Sequence, residues 1–225
     1  MKTYLLSDII GPTMIGPSSS HTAGAVKLGQ VARALVLGDV ARVEFLLHGS
    51  FAMTYRGHGT DRALLAGLMG MTPSSGDIKN ALEIATERGI EYHFIPTDLG
   101  DVHPNTVRIV ITRHDGVKRS VTGCSVGGGN IRITALNEDE VDFTGDYPTL
   151  LIKYTDVPGM IATVTKALAE CRINIAFMRV FRSSKGRTAT MVFETDESVP
   201  DEVVERLRHL SGVHLVIFLK LMEVQ

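Results

Sequence analysis

The chain has 225 residues, 44% of them hydrophobic and 21% charged, with a formal net charge of −2. This length predicts one large or two smaller domains. The near-neutral charge, without a basic run, argues against a nucleic-acid-binding protein. No stretch resembles a membrane span and the start of the chain does not resemble a signal peptide. Two cysteines cannot build a disulfide framework, so we expect a cytoplasmic protein.

The first motif is Gly-Pro-Ser-Ser-Ser-His-Thr at residues 16–22, directly before a helical pattern. From Ala25 the apolar residues recur at helical spacing, which predicts one buried face. The hydroxyls ahead of this helix suit an N-cap, and its free amides can seat a small anion. A carboxylate fits better than a polyphosphate because no Lys or Arg lies between Lys2 and Lys27. A Ser-rich start that only caps the helix remains the alternative.

A second motif, Gly-His-Gly-Thr-Asp at residues 57–61, follows a predicted strand at residues 42–47. Thr60 or Asp61 is predicted to cap the next helix, whose apolar side is rich in leucine. A further amphipathic helix is predicted over residues 77–88, before a glycine that ends it.

From Ile90 the hydrophobic period changes to two, which predicts strands. The strands are expected at residues 90–95, 106–113, 117–125 and 131–136, with a hairpin turn at Asp115-Gly116. Residues 125–129 read Ser-Val-Gly-Gly-Gly. These glycines favour either a flexible turn or close approach by another chain or ligand, and both readings stay open.

Residues 137–146 carry five acids and little apolar content, which predicts a linker. After it the elements follow in the order β-α-β-β-α-β, the ferredoxin-like arrangement. The helix of the first βαβ segment is predicted to pack inward through Ile161, Val164, Leu168 and Ala169. We therefore expect two domains, residues 1–140 and residues 148–225, in an α+β chain.

The second domain resembles the ACT domain through Asp-Val-Pro-Gly at residues 156–159 before a helix, with Asn174 opening the next strand. Members of that family bind amino acids, commonly between two paired domains. The resemblance implies a regulatory amino-acid site at Asp156, Gly159 and Asn174, and contacts between two copies of this chain. An ACT fold used only for subunit pairing is the alternative.

Together, the motifs at residues 16–22, 57–61 and 125–129 and the ACT domain resemble the β subunit of iron–sulfur-dependent L-serine dehydratase (L-serine ammonia-lyase). This resemblance implies an N-terminal α/β domain similar to the allosteric substrate-binding domain of some phosphoglycerate dehydrogenases. It implies conversion of L-serine to pyruvate and ammonia, within amino-acid metabolism and gluconeogenesis. It also implies a [4Fe–4S] cluster whose open iron acts as a Lewis acid on the serine hydroxyl.

The cysteine-bearing part of this family is missing from the chain, so the resemblance places the cluster in a separate α subunit and assigns no metal ligand here. His58, flanked by two glycines, is the expected base for the Cα proton. His21 is the second candidate or a hydrogen-bonding partner. The hydroxyl residues expected to position the substrate are Ser18, Ser19, Ser20 and Thr22. The triple glycine would then allow close contact with the α subunit.

Two other functions fit the same residues. A free-standing amino-acid sensor would use both domains for binding and catalyse nothing, although it has no need for two His-Gly motifs. A phosphate-binding regulatory protein is opposed by the missing basic residues near Ser18. For each histidine taken alone, a structural role is the competing interpretation. The sequence leaves open whether threonine is a substrate and whether the ACT domain activates or inhibits.

Overall fold

The computed structural model describes residues 18–36, 38–182 and 186–219. Gly16 and Pro17 of the first motif lie outside the described residues. The chain divides into two compact units, with the boundary between Asn137 and Glu138. Both helices and sheets occur, so the predicted mixed fold is confirmed.

Among its described residues, the first unit contains helices and five strands. Its helices are α1 (Ala23–Val36), α2 (Gly49–Thr54), α3 (Thr60–Leu68), a 3-10 helix (Gly76–Asn80) and α4 (Ala81–Glu87). Its strands are β1 (Val40–Leu47), β2 (Glu91–Pro96), β3 (Thr106–Arg113), β4 (Lys118–Gly127) and β5 (Asn130–Leu136). The single helix predicted over residues 77–88 is thus divided, because Ser75 caps a tight 3-10 turn before α4 begins.

The second unit begins with β6 (Asp139–Phe143) and continues with the elements of the ACT-like order. They are β7 (Thr149–Thr155), α5 (Met160–Glu170), β8 (Ile175–Arg182), β9 (Thr188–Thr195), α6 (Asp201–Arg208) and β10 (Val213–Leu219). One sheet has the order β2-β1-β3-β4-β5-β6 and the other β10-β7-β9-β8. In the first, β1 pairs in parallel with β2 and antiparallel with β3. The second order confirms the ferredoxin-like βαββαβ fold.

Helix α1 is the centre of the first unit. It packs against α3 and β4, and it is buried around its circumference rather than on one face as predicted. Glycines make this possible, because they bring two backbones into direct contact. A Cβ added at Gly67 of α3 would lie 2.0 Å from Val26 O, and one at Gly29 would lie 2.2 Å from Leu64 O.

The β4–β5 hairpin places the start of α1 at one end of the sheet. A Cβ added at Gly24 would lie 2.1 Å from Ser125 Oγ, near the end of β4. The turn that follows has positive φ at three consecutive glycines, with values of 102° for Gly127, 61° for Gly128 and 81° for Gly129. L-residues rarely adopt this conformation. The turn geometry is therefore a sufficient reason for glycine at these three positions.

The prediction of a linker at residues 137–146 is wrong. This segment contains β6, whose Val141 and Phe143 are buried. Asp139 is not simply a solvated acid, because Lys153 Nζ lies 2.6 Å from its carboxylate. The alternation of the two buried apolar side chains with acids is the period of a strand, which the count of charges obscured.

In the second unit, α5 and α6 cover one face of the sheet. The buried side chains of α5 are Met160, Val164, Ala167 and Leu168. The prediction was therefore right for Val164 and Leu168 and wrong for two positions, since Ile161 is 40% exposed and Ala169 is also exposed. None of the described helices is long and apolar enough to cross a membrane.

Candidate functional site

The predicted hydroxyl motif forms the turn that leads into α1. Thr22 N donates to Ser18 O at 2.9 Å and Gly24 N donates to Ser19 O at 3.0 Å, so backbone hydrogen bonds join this turn to the start of the helix. Ser18 Oγ accepts the His21 N–H at 3.4 Å, as an N-cap side chain does. Three of the hydroxyl residues are half-buried and Thr22 is buried.

His21 lies among three hydroxyl groups and is only 7% exposed. Its Nδ1 is 3.2 Å from Ser18 Oγ. On the other side of the ring, Nε2 is 3.3 Å from Ser50 Oγ and 3.1 Å from Thr54 Oγ1. Phe51 packs against the ring at a centroid distance of 5.2 Å. The imidazole is therefore held at both nitrogens by neighbouring elements.

The second motif brings His58 to the same place. Its ring centroid lies 4.6 Å from that of His21, with an interplanar angle of 85°. His58 N donates to Thr54 O at 3.0 Å, which fixes the loop between α2 and α3. Unlike His21, His58 is exposed. The structure thus brings together the two histidines that the sequence singled out, one buried and one accessible.

Gly59, with φ of 71°, precedes α3 and occupies its N-cap position, so the prediction that Thr60 or Asp61 caps this helix is wrong. Both residues lie inside the first turn and are buried. Asp61 Oδ1 accepts the Arg62 N–H at 2.8 Å. The carboxylate therefore lies at the positive end of α3, although its own position is desolvated.

Burial favours the neutral form of both His21 and Asp61, so it moves their pKa values in opposite directions. Burial, and then the nearby charge of His58, lower the pKa of His21 below its ordinary value, so the ring is neutral near pH 7. Burial raises the pKa of Asp61, and this outweighs the amide bond and the nearby arginines. A neutral imidazole with hydrogen-bond partners at both nitrogens, beside an exposed imidazole, can orient a partner or a substrate without repelling positive charge.

Two residues of this site were missed by the sequence analysis. Ser50 and Thr54 belong to the short helix α2, which follows β1 and carries no recognisable motif. They are four residues apart and therefore share one helical face. That spacing was the available signal, but nothing in the sequence showed that His21 lies opposite this face.

The cysteines do not form a metal site. Cys124 is buried in the first unit, where burial raises the pKa of its thiol, and Cys171 follows α5 in the second unit. Within residues 18–36, 38–182 and 186–219, no group of three or more His, Cys, Asp or Glu side chains could hold a metal ion. The donor set present on the described part of this chain does not fit an iron–sulfur cluster.

The predicted ACT-site residues already have protein partners. Asp156 pairs with Arg182 Nε at 2.8 Å and accepts the Gly186 N–H at 3.2 Å. Asn174 Nδ2 donates to Asp196 Oδ2 at 2.6 Å. Gly159, with φ of 90°, is the N-cap of α5. In this structure Asp156 and Asn174 thus bind separate groups of the protein.

Comparison with known proteins agrees with both resemblances. The family described as serine dehydratase beta chain matches residues 10–98, and the ACT domain family matches residues 148–212. A probable L-serine dehydratase beta chain of Bacillus subtilis is 43% identical over 95% of this chain and 96% of its own length. The L-serine dehydratase beta chain of Peptoniphilus asaccharolyticus is 40% identical over 90% and 92%.

A third relative has a different enzymatic name. A D-3-phosphoglycerate dehydrogenase of Methanocaldococcus jannaschii is 30% identical over 92% of this chain, which covers 39% of that protein. The elements, the sheet order and the match to the ACT family define an α+β chain with a C-terminal ACT domain. With the two beta chains matched over nearly their whole length, the chain belongs to the family of L-serine dehydratase beta chains.

Proposed function

We propose that this chain is the β subunit of a two-subunit lyase that converts L-serine to pyruvate and ammonia. The observation that carries the proposal is the pair of His21 and His58 beside the hydroxyl turn at the start of α1. In this arrangement His58 is an accessible base and His21 is its neutral neighbour. The turn beside them carries hydroxyl and amide groups that can donate to a carboxylate. The beta-chain names of the two similar relatives support the same conclusion.

His58 is the catalytic base in this proposal. Its exposed ring can reach a substrate, and imidazole exchanges protons near neutral pH. Removal of the Cα proton of serine by a positioned base contributes roughly 10²–10⁴ in rate. Loss of the hydroxyl group then leaves an enamine, which tautomerises to an imine, and water hydrolyses the imine to pyruvate and ammonia.

His21 supports this step by remaining neutral. When His58 takes up the proton it becomes a cation 4.6 Å from the His21 ring. A charged His21 would oppose that by about 1 kcal/mol in a water-like dielectric and about 4 kcal/mol at an effective dielectric constant of about 20. The burial that lowers the pKa of His21 removes this repulsion.

Substrate positioning falls to the turn before α1. The proposed residues are Ser18, Ser19, Ser20 and Thr22. Direct contact with the serine carboxylate falls chiefly to Ser19 and Ser20, because the Ser18 hydroxyl contacts His21 Nδ1 and the Thr22 amide donates to Ser18 O. An anion at a helix N-terminus gains about 0.3–1 kcal/mol, and up to about 2 kcal/mol when partly buried. This is enough to orient serine but not to supply the rate.

The [4Fe–4S] cluster is proposed to belong to a partner α subunit. It would supply a Lewis acid for the departing hydroxyl group. Cys124 and Cys171 are fewer cysteines than such a cluster needs, and no group of three or more His, Cys, Asp or Glu side chains among the described residues could hold a metal ion. Only base, orientation and carboxylate binding are therefore assigned to this chain.

For the second domain we propose regulatory amino-acid binding through Asp156, Gly159 and Asn174. A ligand there would displace the present contacts of Asp156 with Arg182 and of Asn174 with Asp196. Pairing of two copies is proposed at β8, an edge strand of its sheet. This strand exposes Phe177, Met178 and Val180. Exposed apolar edges favour strand addition or packing by a partner.

The proposed domains are residues 1–140 and residues 148–225. A cytoplasmic location of the protein is also proposed.

The test is anaerobic co-expression of this chain with a cysteine-bearing candidate α subunit. We expect a co-purifying brown complex that releases pyruvate from L-serine, and a colourless, inactive β chain when it is expressed alone. Pyruvate release is followed through its reduction by lactate dehydrogenase. A complex that binds L-serine but releases no pyruvate would contradict the proposal and favour the non-catalytic amino-acid sensor.

A further inference from the structure

Helix α2 holds the imidazole of His21 through side chains outside the three sequence motifs. We propose that Thr54, together with Ser50, is a positioning residue that fixes His21 in its neutral Nε2–H tautomer beside His58. The consequence for catalysis rests on the proposed function, but the tautomer itself does not.

The hydroxyl hydrogen of Thr54 is already donated elsewhere, and this determines how the hydroxyl oxygen can contact His21. A threonine hydroxyl has one hydrogen and two lone pairs. At Thr54 the hydrogen is donated to Ser50 O at 2.7 Å, a short distance for such a bond. The same oxygen lies 3.1 Å from His21 Nε2 and can only accept there. Nε2 must therefore carry the ring hydrogen if this contact is a hydrogen bond.

The contact on the opposite side of the ring is compatible with the same tautomer. Nδ1 lies 3.2 Å from Ser18 Oγ, whose lone pair accepts the His21 backbone N–H. The Ser18 hydrogen is free to be donated to Nδ1, which must then be unprotonated. Ser50 Oγ, 3.3 Å from Nε2, supplies a second acceptor for the Nε2–H. All these contacts are satisfied by one neutral form of the ring.

Packing keeps the ring in this orientation. Phe51, between Ser50 and Thr54 on α2, contacts the imidazole edge to face at 5.2 Å and is fully buried. The ring is itself 7% exposed, so water cannot easily replace the lost acceptor if Thr54 is changed. The hydroxyl and the aromatic ring of one short helix thus act on the same imidazole.

The back-bond of Thr54 is not by itself unusual. Thr86 of α4 also donates to the carbonyl four residues earlier, at 3.0 Å from Leu82 O, and has no imidazole neighbour among the contacts of the described residues. What distinguishes Thr54 is that its hydroxyl oxygen also lies 3.1 Å from His21 Nε2. Thr86→Val is therefore a matched control for the loss of a helix back-bond alone.

The experiment measures the tautomer by long-range proton–nitrogen NMR on the full chain labelled with nitrogen-15 at histidine. The His21→Gln variant assigns the signals. Near neutral pH we expect the Nε2–H form in the wild type and in Thr54→Ser, and a mixture of tautomers in Thr54→Val. Thr86→Val is expected to leave the His21 signals unchanged. Ser50→Ala should shift them less than Thr54→Val, since it leaves Thr54 Oγ1, the nearer oxygen, whose hydrogen is already donated to Ser50 O.

Turnover of the assembled complex provides the second measurement. Thr54→Val should lower kcat by about tenfold with KM within about twofold, and Thr54→Ser should restore it. His21 signals that do not change in Thr54→Val would overturn the proposal, and so would a loss of turnover without a tautomer change. If the wild-type complex released no pyruvate, the proposed function would fail while the NMR result would still decide the tautomer.

Discussion

The polar residues proposed as sites in the two units differ in their burial and in their protein partners. In the first unit, His21 is buried and its partners come from a different element, with Thr54 thirty-three positions away in sequence. In the second unit, Asn174 is exposed at the surface and Asp156 is bound to an arginine of β8. The proposed first site is thus already formed by protein contacts, whereas a ligand at the proposed second site would replace contacts that the protein now makes. This difference suits chemistry in one unit and regulated binding in the other.

The sharpest test of the comparison removes the exposed member of the histidine pair. His58→Ala should lower turnover of the assembled complex by roughly 10²–10⁴ because the base is lost. The variant should remain folded, since His58 is exposed. Pyruvate release from L-serine measures the effect. His93→Ala, at an exposed histidine on β2 paired with Glu91, is the control. Near-normal turnover of His58→Ala in an intact complex would remove it from the mechanism.

The close backbone packing of the first unit can be tested where α1 and α3 cross. In Gly67→Ala the new Cβ would lie 2.0 Å from Val26 O, and one of the two helices must move. Overpacking of this kind costs about 1–3 kcal/mol, more than the helix propensity gained by alanine, about 1 kcal/mol.

Thermal unfolding of the full chain measures this effect. Gly76→Ala is the matched control, because a Cβ there meets nothing within 4 Å. Equal melting temperatures for the two variants would show that the backbones do not touch. Turnover of the Gly67→Ala complex should fall as well, because the crossing positions the loop that carries His58.

The second unit's side of the comparison is tested at Asn174. Its amide donates to Asp196 at the surface, so its loss should cost little stability. If it also binds the regulatory amino acid, Asn174→Ala should weaken binding of L-serine by about threefold to tenfold, the value of one hydrogen bond. Calorimetry of the full chain measures the affinity. Asn80→Ala, whose side chain makes no capping bond, is the control. An unchanged affinity would remove Asn174 from the site.

Local pattern was sufficient for much of the fold. Alternation predicted β3 with the same limits that the structure shows, residues 106–113, because the strand packs one face on the core. The same reasoning failed at β6, where acids occupy the outward positions of a short strand. It also failed at α5, since the period allowed two faces and tertiary packing chose the one that includes Met160.

The candidate site was predictable only where its residues lie in motifs. His21 and His58 were found because small residues and hydroxyls surround them in sequence. Ser50 and Thr54 were not, because their role depends on the fold placing α2 over His21. The all-round burial of α1 was missed for a similar reason. Glycine does not mark a hydrophobic face, yet it permits the closest packing in the unit.

The smallest expected effect is a pH dependence of stability that has opposite signs at the two buried groups. His21 has a pKa below its ordinary value of 6.5 in the folded chain. The unfolded chain therefore binds more protons as the pH falls through about 6.5, and the free energy of unfolding decreases there. Asp61 has a pKa raised above 3.8, so the folded chain binds the extra proton and stability is gained as the pH falls through that raised value.

Urea unfolding of the full chain at several pH values between about 7.5 and 5.5 measures the first effect. His21→Gln should flatten the decrease in the free energy of unfolding over this range, while Asp61→Asn should leave the histidine-dependent part in place. A slope that is the same in the wild type and in His21→Gln would show that His21 is not held neutral by the fold. The first site would then not be preformed around a neutral His21, and the contrast between the two units would not hold.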